Sequence, residues 1–213
     1  MFNLDTNSAR AADNKSAFVD EAGKYIGTFT RAEWMEKQET GSTGIGFTFK
    51  TNSGAEAQFY LNLSYQHGTK NDGGHSMLNA LMACMQLRKV EAPRTVTVEK
   101  WNGDTKQREK VQTYGFPELM GKPVGLLIQM EIEKNSEKGI PRPVIYAPFS
   151  AESEKTASEI LDPNCKGPSK LEKMVQQLIA KPLVDRRPAG SRAQQQSQQQ
   201  APADDFDDSD IPF

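Results

Sequence analysis

Aromatic side chains with cations close to them are the residues of this chain best suited to specific chemistry. An aromatic ring can stack on any nucleic-acid base, and Lys or Arg neutralises the phosphates that join the bases. The residues that combine these properties within short segments predict contacts with single-stranded DNA, and they are Arg31, Trp34, Lys37, Tyr60, Lys100, Trp101, Lys106 and Arg108.

Burial in a hydrophobic core is the competing interpretation for each of these aromatic rings, because buried aromatics dominate small cores. For Trp34 and Tyr60 both interpretations stay open, whereas Trp101 stands beside a predicted turn and among cations, which favours exposure. Four other rings lie in alternating apolar rows and are predicted to be core residues, namely Phe29, Phe47, Phe49 and Phe59.

Motifs of common catalytic centres are missing from the sequence. It has no Gly-x-x-x-x-Gly-Lys phosphate loop, no His-Glu-x-x-His and no Gly-x-Ser-x-Gly. A metal-dependent nuclease needs clustered carboxylates, but Glu131 and Glu133 have no evident partner. Two cysteines and two histidines suggest no metal site. We therefore predict that the protein is not an enzyme and uses no metal or other cofactor.

Acidic residues are concentrated at one end of the chain. The net charge of the 213 residues is −2, but residues 193–213 contain five aspartates and no Lys or Arg. Residues 1–192 carry 26 basic and 23 acidic side chains, so this part of the chain is mildly basic. The division favours a body that binds nucleic acid and a tail of opposite charge.

The sequence also predicts where the protein works. Its first residues lack the basic start and apolar run of a signal peptide, and no segment has the roughly 18 apolar residues that a membrane span needs. We expect a cytoplasmic protein that makes no contact with a membrane.

Alternating apolar and polar residues predict three strands in the first third of the chain. The runs cover residues 24–34, 43–50 and 55–65, and short turns rich in Gly, Ser and Asn separate them. Consecutive strands joined by short turns form an antiparallel meander.

A helix and a hairpin are predicted after the meander. Gly73-Gly74 interrupts the chain, and Ser76 is a good N-cap for apolar residues at helical spacing that continue towards Arg88. The hairpin has its turn at Asn102-Gly103-Asp104 and carries Lys and Arg on both arms.

Two further strands, over residues 124–132 and 143–149, follow the hairpin. A meander, a helix and further strands are the order of an OB-fold, a small barrel that binds single strands or oligosaccharides. We predict a mostly β fold with a minor α content: an OB-fold-like barrel over residues 23–150, with a helix between its third and fourth strands and an extra hairpin.

The remaining segments are assigned from composition and periodicity. Residues 1–22 are polar and predict a loosely held arm, and residues 151–185 contain a C-terminal helix whose apolar stripe predicts packing on the barrel. Residues 186–203 are rich in Gln, Ala and Pro and predict a disordered linker, because such a composition cannot offset the entropy of ordering. Residues 204–213 form an acidic tip.

The tip has the properties of a ligand for other proteins. Its negative charge steers it to basic surfaces, and Phe213 with its carboxylate can enter an apolar pocket lined by Arg or Lys. A solubilising terminus does not require Ile-Pro-Phe at its end.

This tip, after a Gln- and Pro-rich linker, resembles the C-terminus of bacterial single-stranded-DNA-binding proteins. The resemblance implies docking on replication, repair and recombination enzymes through Asp207, Asp208, Asp210, Ile211, Pro212 and Phe213. Residues 1–10 and the helix around residues 77–85 are similar to small proteins of bacteriophage recombination and replication modules. This implies a phage-encoded protein of the host cytoplasm that coats and protects single-stranded DNA.

A second function stays open at this point. The chain can be an interaction protein that displays the tip as a decoy for host enzymes and never touches DNA. The oligomeric state stays open too, because the tetramer of the bacterial protein does not carry over to a body without its sequence.

Overall fold

The computed structural model describes residues 17–188 of the chain, and most of its secondary structure is β. Eight strands form one sheet: β1 (Gly23–Lys37), β2 (Ser42–Thr51), β3 (Glu56–Ser64), β4 (Arg94–Asn102), β5 (Gln107–Gly115), β6 (Pro123–Ile132), β7 (Arg142–Phe149) and β8 (Leu183–Asp185). The α-helices of the described range are α1 (Asp72–Cys84), α2 (Ala157–Ile160) and α3 (Lys170–Ala180). The predicted mostly β class is confirmed.

The long strand β1 organises the sheet. Residues Gly23 to Thr28 pair antiparallel with β6, and residues Gly27 to Lys37 pair antiparallel with β2. A register shift between Phe29 and Arg31 marks an irregularity at which such a strand bends. β3 pairs with β2 and β7 pairs with β6, and residues of β3 and β7 line one pocket, so the sheet curls until these two strands lie near each other.

The sheet is not closed into a complete barrel. β3 and β7 line a common gap of about 330 Å³, and no ladder joins these two strands in the described part of the chain. β7 contains Pro143 and Pro148, which have no N–H group to donate to a neighbouring strand. The predicted barrel is therefore an open, curved sheet.

The core lies on the inner face of β1, β2 and β3. Phe29, Phe47 and Phe49 are fully buried and Phe59 nearly so, which confirms the four predicted core phenylalanines. The rings of Phe29 and Phe47 lie 4.5 Å apart between centroids. Since side chains alternate along a strand, the residues that alternate with these core residues along β1, β2 and β3 point to the outer face.

Helix α1 lies between β3 and β4, as predicted, but its N-cap lies five residues earlier than predicted. Its N-cap is Asn71, whose Oδ1 accepts a hydrogen bond of 3.2 Å from the Gly74 amide, so the predicted N-cap at Ser76 is wrong. Gly73 and Gly74 lie inside the helix and do not interrupt it. Gly74 packs closely against β3, since a Cβ there would lie 1.8 Å from the carbonyl oxygen of Asn62. The helix ends at Cys84 and does not reach Arg88.

The hairpin of β4 and β5 is present, but its turn is longer than predicted. The strands pair from Arg94 with Gly115 to Asn102 with Gln107, so residues 103–106 form the turn. Lys106 has a φ of 51°, a left-handed conformation that lets a non-glycine residue close such a turn at some cost.

Helix α3 packs on the sheet through one apolar stripe. Leu171 and Leu178 are buried in a small second cluster whose other buried members are Leu127, Ala147 and Phe149. Strand β8 then pairs parallel with β6. It was not predicted, because three residues are too short to show a period.

A buried carboxylate connects α2 to the start of α3. Glu159 accepts hydrogen bonds from the amides of Thr156 (2.9 Å), Ser169 (2.7 Å) and Lys170 (2.9 Å). Burial raises the pKa of Glu159, but these hydrogen bonds outweigh it and lower the pKa to about 2. The carboxylate thus supplies acceptors for amides that a helix start leaves unpaired.

Residues 17–19 add a short segment to the edge of β3. The Val19 amide donates to the Glu56 carbonyl, and the Glu56 amide donates to the Ala17 carbonyl, both at 2.9 Å. Val19 is also buried. The interpretation of residues 1–22 as a loosely held arm therefore does not apply to residues 17–19.

Candidate nucleic-acid interface

The outer face of β1, β2 and β3 consists of the residues that alternate with the core. Residues opposite each other in an antiparallel ladder point to the same side of the sheet. Three rows of such residues cross the strands, namely Arg31–Thr48–Gln58, Glu33–Gly46–Tyr60 and Met35–Gly44–Asn62. Two predicted DNA contacts, Arg31 and Tyr60, therefore share this face.

Two glycines let side chains lie flat on this face. A Cβ at Gly44 would lie 2.7 Å from the ring of Tyr60, and one at Gly46 would lie 2.5 Å from Sδ of Met35. The Tyr60 ring is 51% exposed, so it presents an aromatic surface next to the β2 backbone. Partial burial raises the pKa of the Tyr60 phenol above its ordinary value.

The β4–β5 hairpin carries exposed rings on one of its faces. Trp101 pairs with Arg108 and Tyr114 pairs with Thr95, and alternation places Lys110 on the same face. Trp101 is 64% exposed and Tyr114 is 63% exposed. Six residues separate the two pairs, a distance of about 20 Å along the hairpin. The hairpin therefore presents two rings with cations between them.

A groove of about 420 Å³ lies between the β4–β5 hairpin and strands β1 to β3. Its charged lining residues are Lys50, Glu56, Glu99, Arg108 and Lys110. Thr30, Thr97 and Val98 complete the lining. Cations outnumber carboxylates here, so the groove suits an extended anion better than an apolar ligand.

Glu56 of β3 holds one of these cations. Nη2 of Arg108 lies 2.5 Å from Oε2 of Glu56, and the side chains are 48% and 11% exposed, respectively. The contact fixes β5 to the start of β3. Arg108 thus lines the groove, and its guanidinium is already bound by the carboxylate of Glu56.

Glu33 joins β1 to the hairpin in a similar way. Its Oε1 accepts hydrogen bonds of 2.6 Å from Nζ of Lys100 and from Oγ1 of Thr113, and its Oε2 lies 3.4 Å from Nη1 of Arg31. Burial raises the pKa of Glu33, but the hydrogen bonds from Lys100 and Thr113 and the nearby positive charges lower it below its ordinary value. Glu33 is therefore a charged carboxylate shared by two of the predicted DNA contacts.

Arg108 is the predicted contact that lines this groove, and the other seven do not line it. Trp34 lies on the core side of β1, where its ring meets Phe116 edge-on with centroids 6.0 Å apart. Lys37 is exposed at the end of β1, and Lys106 is exposed in the hairpin turn. The tip at residues 204–213, with its six predicted partner-binding residues, lies outside the described residues.

Several residues of the interface were not predicted as contacts. Tyr114 could have been found from the period of two along β5, because it follows Arg108 and Lys110 on the same face. Lys50 and Met35 could not have been found from the sequence, because their position at the interface depends on the pairing of β1 with β2.

Other kinds of site have little support in the described part of the chain. No group of three or more His, Cys, Asp or Glu residues there could hold a metal ion. No helix there is long and apolar enough to cross a membrane. Burial raises the pKa of the Cys84 thiol to about 12, so it is not a ready nucleophile.

Comparison with known proteins gives no family for this chain, since no protein-family model and no curated protein matches it. The hairpin face that contributes Arg108 and Lys110 to the groove also carries Trp101 and Tyr114, although these two rings are not among the residues that line it. Rings and cations on one face suit a chain of stacked bases and phosphates.

Proposed function

We propose that the chain is a single-stranded-DNA-binding protein that holds the strand between the β4–β5 hairpin and the outer face of β1 to β3. The observation that carries the proposal is the pair of exposed rings, Trp101 and Tyr114, on the hairpin face that also carries Arg108 and Lys110. Bases stack on such rings whatever the sequence, and the cations follow the phosphates. Tyr60 supplies a third stacking surface on the sheet.

We also assign the domain to the OB-fold class. Five strands, β1, β2, β3, β6 and β7, with α1 between the third and the fourth, support this assignment by their order. OB-folds are partly open barrels that bind oligonucleotides on the face of their second and third strands. The open gap between β3 and β7 and the position of Tyr60 on β3 agree with that description.

The acidic tip gives the protein its second proposed role. In this proposal the tip recruits DNA-processing enzymes, and the body coats and protects the strand during replication or recombination. Five aspartates and the terminal Ile-Pro-Phe support this role by their chemistry, which suits a basic surface with an apolar pocket.

Binding of labelled oligonucleotides at several salt concentrations tests the proposal. If the groove neutralises about 3 to 5 phosphates, log K against log salt has a slope of roughly −2 to −3.5. We expect tighter binding to a labelled oligothymidine of about 20 nucleotides than to a duplex of that length, because only unpaired bases expose faces for stacking.

The competing function gives a different result. A protein that only displays the tip as a decoy binds neither oligonucleotide, even at about 50 mM salt. A flat salt response would exclude the phosphate contacts on which the proposed groove depends.

A further inference from the structure

We propose that Glu33 and Glu56 compete internally with DNA phosphates for cations of the interface. Glu56 binds Arg108, which lines the groove, whereas Glu33 binds Arg31 and Lys100, which are outside the groove lining. The inference rests on the proposed function and concerns how the same site is regulated. In the free protein these carboxylates bind the cations that a phosphate chain would need, so DNA must displace them in order to bind.

Glu56 is the simpler of the two competitors. Its carboxylate is nearly buried and contacts Arg108, whose side chain is about half exposed. Arg108 also lines the groove with Lys50 and Lys110. A phosphate in the groove can therefore approach Arg108 from the solvent side, opposite the carboxylate. An ion pair with one exposed member is weak enough for such an exchange.

Glu33 holds two cations from different elements. Lys100 of the hairpin and Arg31 of the sheet both face its carboxylate, at 2.6 Å and 3.4 Å. The Nε of Arg31 is buried and has no hydrogen-bond partner among the described residues, so this guanidinium is incompletely satisfied. A phosphate that reached this cluster would meet two cations that share one carboxylate.

Because of this competition, the protein binds DNA less tightly than a protein with the same number of cations and no carboxylates bound to them. When phosphate displaces a carboxylate, the freed carboxylate takes up a cation from solution, which offsets the counterion that the DNA releases. The binding therefore depends less on salt than it would with free cations. A larger share of the binding energy comes from the aromatic rings, and the protein favours strands with unpaired bases.

Glu56→Gln and Glu33→Gln test the inference, with Asp104→Asn as the matched control. Asp104 is exposed in the turn of the same hairpin, and none of its contacts within residues 17–188 is an ion pair. All three variants remove one negative charge. The probe is a labelled oligothymidine of about 20 nucleotides, titrated between about 50 and 300 mM salt.

We expect Glu56→Gln to bind about two- to fivefold more tightly than Asp104→Asn at the lowest salt. Its salt slope becomes steeper by up to about 0.7, the contribution of one cation on single-stranded DNA. Glu33→Gln frees two cations, so its slope steepens by up to about 1.4. Arg108→Gln added to Glu56→Gln cancels the gain, because the freed cation is lost.

Several results would overturn the inference. Equal affinity and slope in Glu56→Gln and Asp104→Asn would show that the carboxylate does not compete. A gain over Asp104→Asn that survives Arg108→Gln would show that it does not come from freeing Arg108. Weaker binding by Glu56→Gln with an unchanged melting temperature would show that the carboxylate positions Arg108 for DNA. If wild type and all variants fail to bind, the proposed function itself is wrong.

Discussion

Removal of the two exposed hairpin rings is the most direct test of the interface. Stacking on one aromatic ring contributes about 1–3 kcal/mol per base, so Trp101→Ala and Tyr114→Ala should each weaken binding about five- to 150-fold. By register the rings lie about 20 Å apart, beyond the distance at which substitutions usually couple. The double variant should therefore lose about 2–6 kcal/mol of binding free energy on an oligonucleotide that reaches both rings.

The separation of the rings also predicts a dependence on oligonucleotide length. At a stacked spacing of about 3.4 Å per nucleotide, about six nucleotides cover the distance between them. A trinucleotide contacts one ring at a time, so the two rings act as two alternative binding sites for it. The loss of either ring removes one of the two sites and lowers the affinity about twofold. A chain of about twelve nucleotides contacts both rings and loses the full contribution of each.

Fluorescence anisotropy of labelled oligonucleotides measures these affinities, and thermal unfolding measures stability. Tyr65→Ala is the control, because Tyr65 is an aromatic of 52% exposure outside the hairpin. Its removal should leave DNA affinity unchanged. The reasoning fails if the hairpin variants bind as wild type while their melting temperatures fall by several degrees, since the rings would then be structural.

Three further predictions concern other parts of the chain. Gly44→Ala places a Cβ 2.5 Å from the carbonyl oxygen of Leu61, so urea unfolding should show a loss of about 1–3 kcal/mol, whereas Gly103→Ala meets open space and should not. The pKa of Glu159 is lowered to about 2 from an ordinary 4.5. The ionised carboxylate therefore stabilises the fold fully at pH values above 4.5, and this contribution to the free energy of unfolding is lost as the pH falls towards 2. Glu159→Gln should flatten urea stability over that window, and an unchanged pH profile would contradict the contacts. Phe213→Ala keeps every side-chain charge of the tip, so it should retain DNA affinity in anisotropy titrations and lose capture of tip-binding enzymes in pull-downs.

The sequence by itself determined the mostly β class, the order of strands β1 to β7 with helices α1 and α3, and the four core phenylalanines, whereas the short elements α2 and β8 were not predicted. These features follow from local periods of two or 3.6 residues, which a single segment records. The chemistry of the acidic tip is likewise a property of composition and order. Helix α1 shows the limit of local evidence, because Gly73-Gly74 suggests an interruption until the close approach of β3 to Gly74 is known.

Only the tertiary structure decided which predicted contacts share a surface. Trp34 and Tyr60 look alike in sequence, yet the register of β1, β2 and β3 sends one to the core side and the other to the outer face. Glu33 meets Lys100 across 67 residues, and Glu56 meets Arg108 across 52. Local patterns cannot encode such pairs, because the strand register that creates them depends on how distant segments pack together.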